Sequence, residues 1–147
     1  AKAPGRKWFS ISSDGGRTLS PVQEWRYADG SSFYSPSSIH RMFRSGATGR
    51  LYWIGNICMT PPRGNSPRHP LVIAEVDESA AALRRETVSV IDDRAAWHGA
   101  DVQFSNFSLL EDRETREILL HLTTYGQEAS PADWATADSY RYVLTLK

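Results

Sequence analysis

Apolar, β-branched and aromatic residues fall in short runs that Gly, Pro, Asn, Asp and Ser repeatedly interrupt. This pattern predicts nine strands, at about 7–12, 18–26, 37–44, 50–59, 69–76, 84–91, 102–110, 117–124 and 139–146. Glu78–Arg85 is rich in alanine but too short to stand as a helix, so it predicts a short helical turn inside a loop. Ser45-Gly46-Ala47-Thr48-Gly49 and the polar stretch Glu111–Arg116 each separate two hydrophobic runs and predict hairpin loops. Four longer connections remain, at 27–36, 60–68, 92–101 and 125–138, and long loops are where function concentrates. The pattern as a whole predicts an all-β chain.

Within it, a strand, a tight polar turn and a second strand recur. Ser37 through Ile54 lies over Ser105 through Leu122 at a constant shift of 68 residues, as expected of a radially repeated fold. Directly after the strand-like run Lys7–Ile11 comes Ser12-Ser13-Asp14-Gly15-Gly16-Arg17-Thr18-Leu19. Here an Asp side chain is expected to bond backbone amides of its own turn while glycines take the positive φ angles. With four antiparallel strands to a blade, residues 7–26 supply the outer strands of one blade, 37–91 a complete blade, and 102–146 three strands of a closing blade. About two and a quarter blades leave sheet edges and half a core open, so the expectation is a β-propeller segment completed by a longer chain or by other chains. A free-standing nine-stranded sandwich or barrel is the alternative.

Composition narrows the partners. The 147 residues carry 17 Lys plus Arg against 17 Asp plus Glu, so no net field recruits nucleic acid or an anionic membrane, and a charged ligand must be met by local groups. The single cysteine, Cys58, allows no intrachain disulfide and lies in an apolar run, which reads as buried packing. No stretch of 18 apolar residues and no basic-then-apolar start occurs, so neither a membrane span nor a signal peptide is expected in this chain, although a mature product would have lost its signal.

The box at Ser12–Leu19, the run Ser35-Pro36-Ser37-Ser38-Ile39 followed by Thr48-Gly49-Arg50-Leu51, the stretch Arg68–Glu78 and the closing Ser105–Leu110 together resemble the sialidase-like (BNR, Asp-box repeat) superfamily of β-propeller glycoside hydrolases. Leu19 stands where the box usually ends in Trp or Phe, and Asp77 falls where a second, degenerate box would lie. The resemblance implies a carbohydrate-active protein, secreted or periplasmic, acting on a glycan with an anionic sugar. It implies that Arg68 is one of the arginines that clamp the substrate carboxylate, for which a guanidinium fork is suited. The family's nucleophilic Tyr-Ser pair corresponds to Phe104-Ser105, and phenylalanine cannot act as a nucleophile. Retaining hydrolysis would then need Tyr34, Tyr125 or Tyr140 from another loop, with the remaining catalytic groups supplied by other blades. A non-catalytic lectin-like module and a polysaccharide lyase on the same scaffold are the competing readings.

Without the family, the long loops offer Tyr34, Asn56, Arg63, Asn65, Arg68, His69, Trp97, His98, Gln103, Asn106, Tyr125, Trp134 and Asp138 to one propeller face. Aromatic rings stack on sugar C–H surfaces, and amides and guanidinium groups bond hydroxyls and carboxylates, so the mixture suits a glycan cleft. Trp97 and Trp134 read either as such platforms or as loop anchors. His98 sits in Trp97-His98-Gly99 near Asp101, where an imidazole can serve as general acid or base, or simply be solvated. No zinc-ligand spacing and no phosphate-binding glycine loop occurs, so no metal or cofactor is expected.

Overall fold

The computed structural model describes residues 5–127 and 137–147. Among these, ten strands form: β1 (Trp8–Phe9), β2 (Gln23–Glu24), β3 (Arg41–Arg44), β4 (Leu51–Asn56), β5 (Leu71–Asp77), β6 (Ala82–Leu83), β7 (Ser89–Asp92), β8 (Ser108–Glu111), β9 (Ile118–Thr123) and β10 (Ser139–Leu144). A 3-10 turn at Arg85–Thr87 is the one helical element in the described residues. The chain is all-β. Its strands make three small antiparallel sheets, β1-β2, β3-β4-β5 with both β6 and β7 on β5, and β10-β9-β8, none of them closed.

The sheets stack as three layers. Along β4 and β5 apolar residues run almost without interruption, as expected of strands covered on both faces rather than one. Tyr52, Ile54, Leu71 and Ile73 face the third sheet and pack with Phe107, Leu120 and Leu122. Trp53, Val72, Ala74 and Val76 face the other way and pack with Trp25, Tyr27 and Phe33 of the first layer. Trp25 meets Trp53 edge-on at 5.7 Å between ring centroids, a favoured aromatic geometry. A two-layer sandwich would leave one face of this middle sheet wet. In β9, by contrast, Ile118, Leu120 and Leu122 are buried while His121 between them is exposed, the alternation of a sheet with one covered face.

Polar bonds tie the layers at both ends. The Lys7 ammonium donates to the carbonyls of Pro36 and Ser38, and its burial lowers its pKa. The Tyr142 hydroxyl donates to Asp92 across the second and third sheets, and Gly46 N–H donates to Glu111 Oε1 at 2.8 Å between their turns. Asn56, fully buried, spans the same junction: its Nδ2 reaches the carbonyls of Arg68 (3.0 Å), Pro70 (3.1 Å) and Phe104 (2.9 Å).

Turn chemistry is as anticipated at Ser12–Leu19. Asp14 accepts the Thr18 N–H at 2.9 Å and its hydroxyl at 2.7 Å, Ser12 Oγ accepts the Gly16 N–H, and Gly15 and Gly16 have φ of 72° and 88°. These bonds hold the Asp14 carboxyl down at about 2. Ser20 N–H donates to the Ile11 carbonyl across the hairpin, and residues 8–9 and 23–24 form the ladder strands in the stretches expected at 7–12 and 18–26.

Elsewhere the expectations need revision. In place of a helical turn through 78–85, Asp77 Oδ1 accepts the Ser79 and Ala80 N–H groups and Ala81 turns at φ 49°, after which Ala82–Leu83 pairs back on β5. Burying Leu83 completely between the first layer and the middle sheet outweighs the helical preference of three alanines. The repeat also shifts by one. Ser45 and Asp112 open hairpins with the same bonds, from the N–H groups of Ala47 and Thr48 to Ser45 Oγ and from those of Glu114 and Thr115 to Asp112 Oδ1. Gly49 and Arg116 then occupy matching left-handed positions at φ 72° and 62°. The hairpins therefore superpose at 67 residues (45 to 112), not 68. Turn geometry sets strand register, and a one-residue slip would exchange the buried and exposed faces.

Candidate functional site

Described residues of the four long connections, from 34–36, 60–68, Gly99 and 125–127, meet at the end of the stack opposite the 45–49 and 112–116 hairpins. Isolated bridges pair Tyr34 with Cys58, Arg68 with Gln103 and Gln103 with Tyr125, and another, Arg63 with Ser66, folds the 60–68 connection on itself. Ser37 N–H donates to Gly64 O, and Gly99 N–H to Gln127 O. The same bond joins successive layers twice, from Ser35 N–H to Gly5 O and from Phe104 N–H to Arg68 O, both 2.9 Å. Loop backbone that would otherwise stand open is thereby paired, which gives the side chains of this end a firm base.

Arg68 is half-buried at its centre. Its Nε donates to the Asn65 backbone carbonyl at 3.1 Å. With the Asn65 amide oriented so that its nitrogen donates to Ser37 O at 2.8 Å, its oxygen accepts from Arg68 Nη2 at 3.0 Å. Asn65 is thus a support for the guanidinium as well as a ligand candidate, and no carboxylate pairs with Arg68 among the described residues. Arg63 is exposed beside it and lines a groove of about 360 Å³ with Pro61, Ser66, Pro67, Asp101 and Val102. Tyr34 lies under the Arg6 guanidinium, 3.9 Å from the ring centroid. Gln103 and Tyr125, both half-buried, join Arg68 through backbone pairing.

Other expected residues lie elsewhere. His98 is buried: its Nδ1 accepts the Ala95 N–H at 2.9 Å, its ring packs 5.8 Å from Phe104, and its Nε2 has no hydrogen-bond partner. With the backbone donating to Nδ1, the proton of the neutral ring resides on Nε2. The imidazole is therefore seated inside the loop base rather than solvated. Trp97 covers it at 3.8 Å between centroids and keeps 69% of its own surface exposed, so it both anchors the loop and offers a broad aromatic face. Asn106, at φ 58°, lines a separate groove of about 360 Å³ on the outer face of the third sheet with His121, Tyr140 and Arg141. Phe104 is buried between the second and third sheets, and Ser105 beside it is buried with an unpartnered hydroxyl. Trp134 lies outside the described residues.

Two features escape sequence reasoning. Asn56 looks like one more loop amide, yet it is the buried clip of the whole end. His69 reads from the sequence as one more loop residue of the expected glycan face, but its Nδ1 sits 3.2 Å from Asp93 Oδ1 at the edge of an open groove of about 540 Å³. The sequence signal for that pair, 24 residues apart, is only that each falls next to the end of a strand. Among the described residues, no three His, Cys, Asp or Glu side chains gather as a metal ion would require, and no helix is long and apolar enough to cross a membrane. The Cys58 thiol, buried and donating to Pro67 O, is pushed up to about 11 and is not poised as a nucleophile. No protein family, no curated protein and no solved structure matches this chain.

Proposed function

We propose that the three sheets are successive wedges of a sialidase-like β-propeller and that their loop end binds a glycan carrying an anionic sugar, with Arg68 meeting the acidic group. The observation that carries this reading is the bond repeated between layers at one end, Ser35 N–H to Gly5 O and Phe104 N–H to Arg68 O, around a middle sheet buried on both faces. Radial repeats bring equivalent strand starts together around an axis in this manner. The guanidinium, held by Asn65 and unopposed by a carboxylate among the described residues, is prepared for a bidentate anion. The remaining blades come from a longer chain or from other chains.

Ligand binding is favoured over cleavage by this end alone, because Phe104 replaces the expected tyrosine in the core and His98 is enclosed. Hydrolysis is the second reading, for which Tyr34 beside Arg6 supports a phenol nucleophile brought in by another loop. Calorimetric titration with sialyllactose tests the binding. Arg68→Ala should weaken it about tenfold or more, the weight of a charge-assisted bidentate contact. Unchanged affinity in a folded variant removes Arg68 from the site, and no binding of any anionic glycan by the parent protein ends the reading. Release of free sialic acid by the parent protein would favour the hydrolase.

A further inference from the structure

The groove of about 540 Å³ beside Arg68 has a composition of its own. Its walls are Met59, Pro67, Pro70, Ala95 and Ala96, and its polar groups come from Thr60, His69, Asp93 and Arg94. Asp93 is held in place because its Oδ1 accepts the Arg94 N–H at 2.7 Å and lies 3.2 Å from His69 Nδ1. That contact assigns the Nδ1 proton of the neutral ring to the bond with Asp93, leaving Nε2 as an acceptor. Arg94 is also fixed. Its Nε and Nη2 donate to the carbonyls of Gly99 and His98 at 3.2 and 3.4 Å, and it has no carboxylate side-chain partner among the described residues. Asp93 Oδ2 and Arg94 Nη1 thus remain without a partner there. Half-buried His69 and exposed Asp93 and Arg94 are reachable by a ligand.

We propose that this groove is a second sugar subsite, one that takes a neutral ring through its hydroxyls. The inference rests on the glycan reading above and extends it to the ring next to the acidic one. The aspartate and arginine charges cancel, so the groove has no excess attraction for an anion, in contrast to Arg68. The groove is lined by a fixed acceptor, Asp93, and a fixed donor, Arg94, which suit two hydroxyls of one ring, the first donating and the second accepting. Pro67, Pro70 and the two alanines give a low wall for the C–H face of a pyranose. Pro67 also borders the groove of Arg63, and His69 follows Arg68 in the chain, so the neutral and anionic rings would be neighbours.

Calorimetric titration of the full chain with free N-acetylneuraminic acid, sialyllactose and lactose tests this. The parent protein should bind sialyllactose more tightly than the free acid. Asp93→Ala and Arg94→Met should each lower sialyllactose affinity about tenfold while leaving the free acid unchanged, whereas Arg68→Ala should weaken both. Asp93→Asn, which keeps the loop contacts at Oδ1, should act in the same direction if the alanine variant fails to fold. Unaltered sialyllactose affinity in the two groove variants overturns the proposal, as does an equal loss for the free acid. If no anionic glycan binds at all, the glycan reading itself has failed at Arg68. The groove is then decided by lactose alone: saturable shifts of the His69 imidazole resonances support it, and their absence overturns it.

Discussion

Replacing Asn56 by alanine should reveal how strongly one amide holds the loop end together. Its Nδ2 has two hydrogens for three carbonyls, of Arg68, Pro70 and Phe104, and its Oδ1 accepts from Ser38 Oγ at 2.8 Å. The Arg68 carbonyl keeps a second donor, Phe104 N–H, so the loss falls on the other two. An unsatisfied buried carbonyl costs about 1–3 kcal/mol, toward the upper end for Phe104 O and the lower end for the part-buried Pro70 O. With the small cavity left behind, the expected loss is about 2–4 kcal/mol, or about 5–15 °C in melting temperature for a chain of this size. Urea unfolding followed by tryptophan fluorescence measures it directly. Asn56→Asp is the sharper control, since it puts a carboxylate against three carbonyl oxygens and should cost more than alanine. A loss under about 0.5 kcal/mol for alanine, or a milder effect for aspartate, would refute the assignment of Asn56 as the clip between the second and third sheets.

Tyr142→Phe should remove the bond to Asp92 and cost about 1 kcal/mol in urea unfolding. Burial first and the Asp92 carboxylate second raise the Tyr142 pKa, so the contribution is complete below about pH 10, the ordinary phenol value, and fades as pH rises toward the folded one. Asp14 should titrate near 2 by carbon NMR, with the Thr18 amide shifting at the same midpoint. Its stabilising contribution is present above about pH 4 and lost as pH falls through 2. At pH 8 the Cys58 thiol should react with a disulfide reagent far more slowly in the native protein than in urea, because burial raises its pKa to about 11. Comparable rates would show that the thiol is open. Gly126→Ala should destabilise the loop end, since a Cβ there would lie 2.6 Å from Asp101 O at a backbone φ of +75°. Thermal melting checks this, and an unchanged transition would contradict the close approach.

The amino-acid sequence by itself determined what depends on neighbours along the chain. The Asp14 and Ser45 turns and the left-handed glycines are set within a few residues, by side chains that bond their own backbone and by the lack of a Cβ, so they are legible without a fold. Tertiary structure decided everything that required a distant surface. Leu83 pairs as a strand where it is buried between the first layer and the middle sheet, Phe104 is buried between the second and third sheets, and His98 packs on it. Asn56 became a buried clip, and His69 met Asp93, because three sheets converge at one end and bring residues 12, 48 and 24 positions apart within hydrogen-bond reach. A loop residue's identity states what it can bond. Only the stacking of the sheets states whether water, a carbonyl or a ligand is there to receive it.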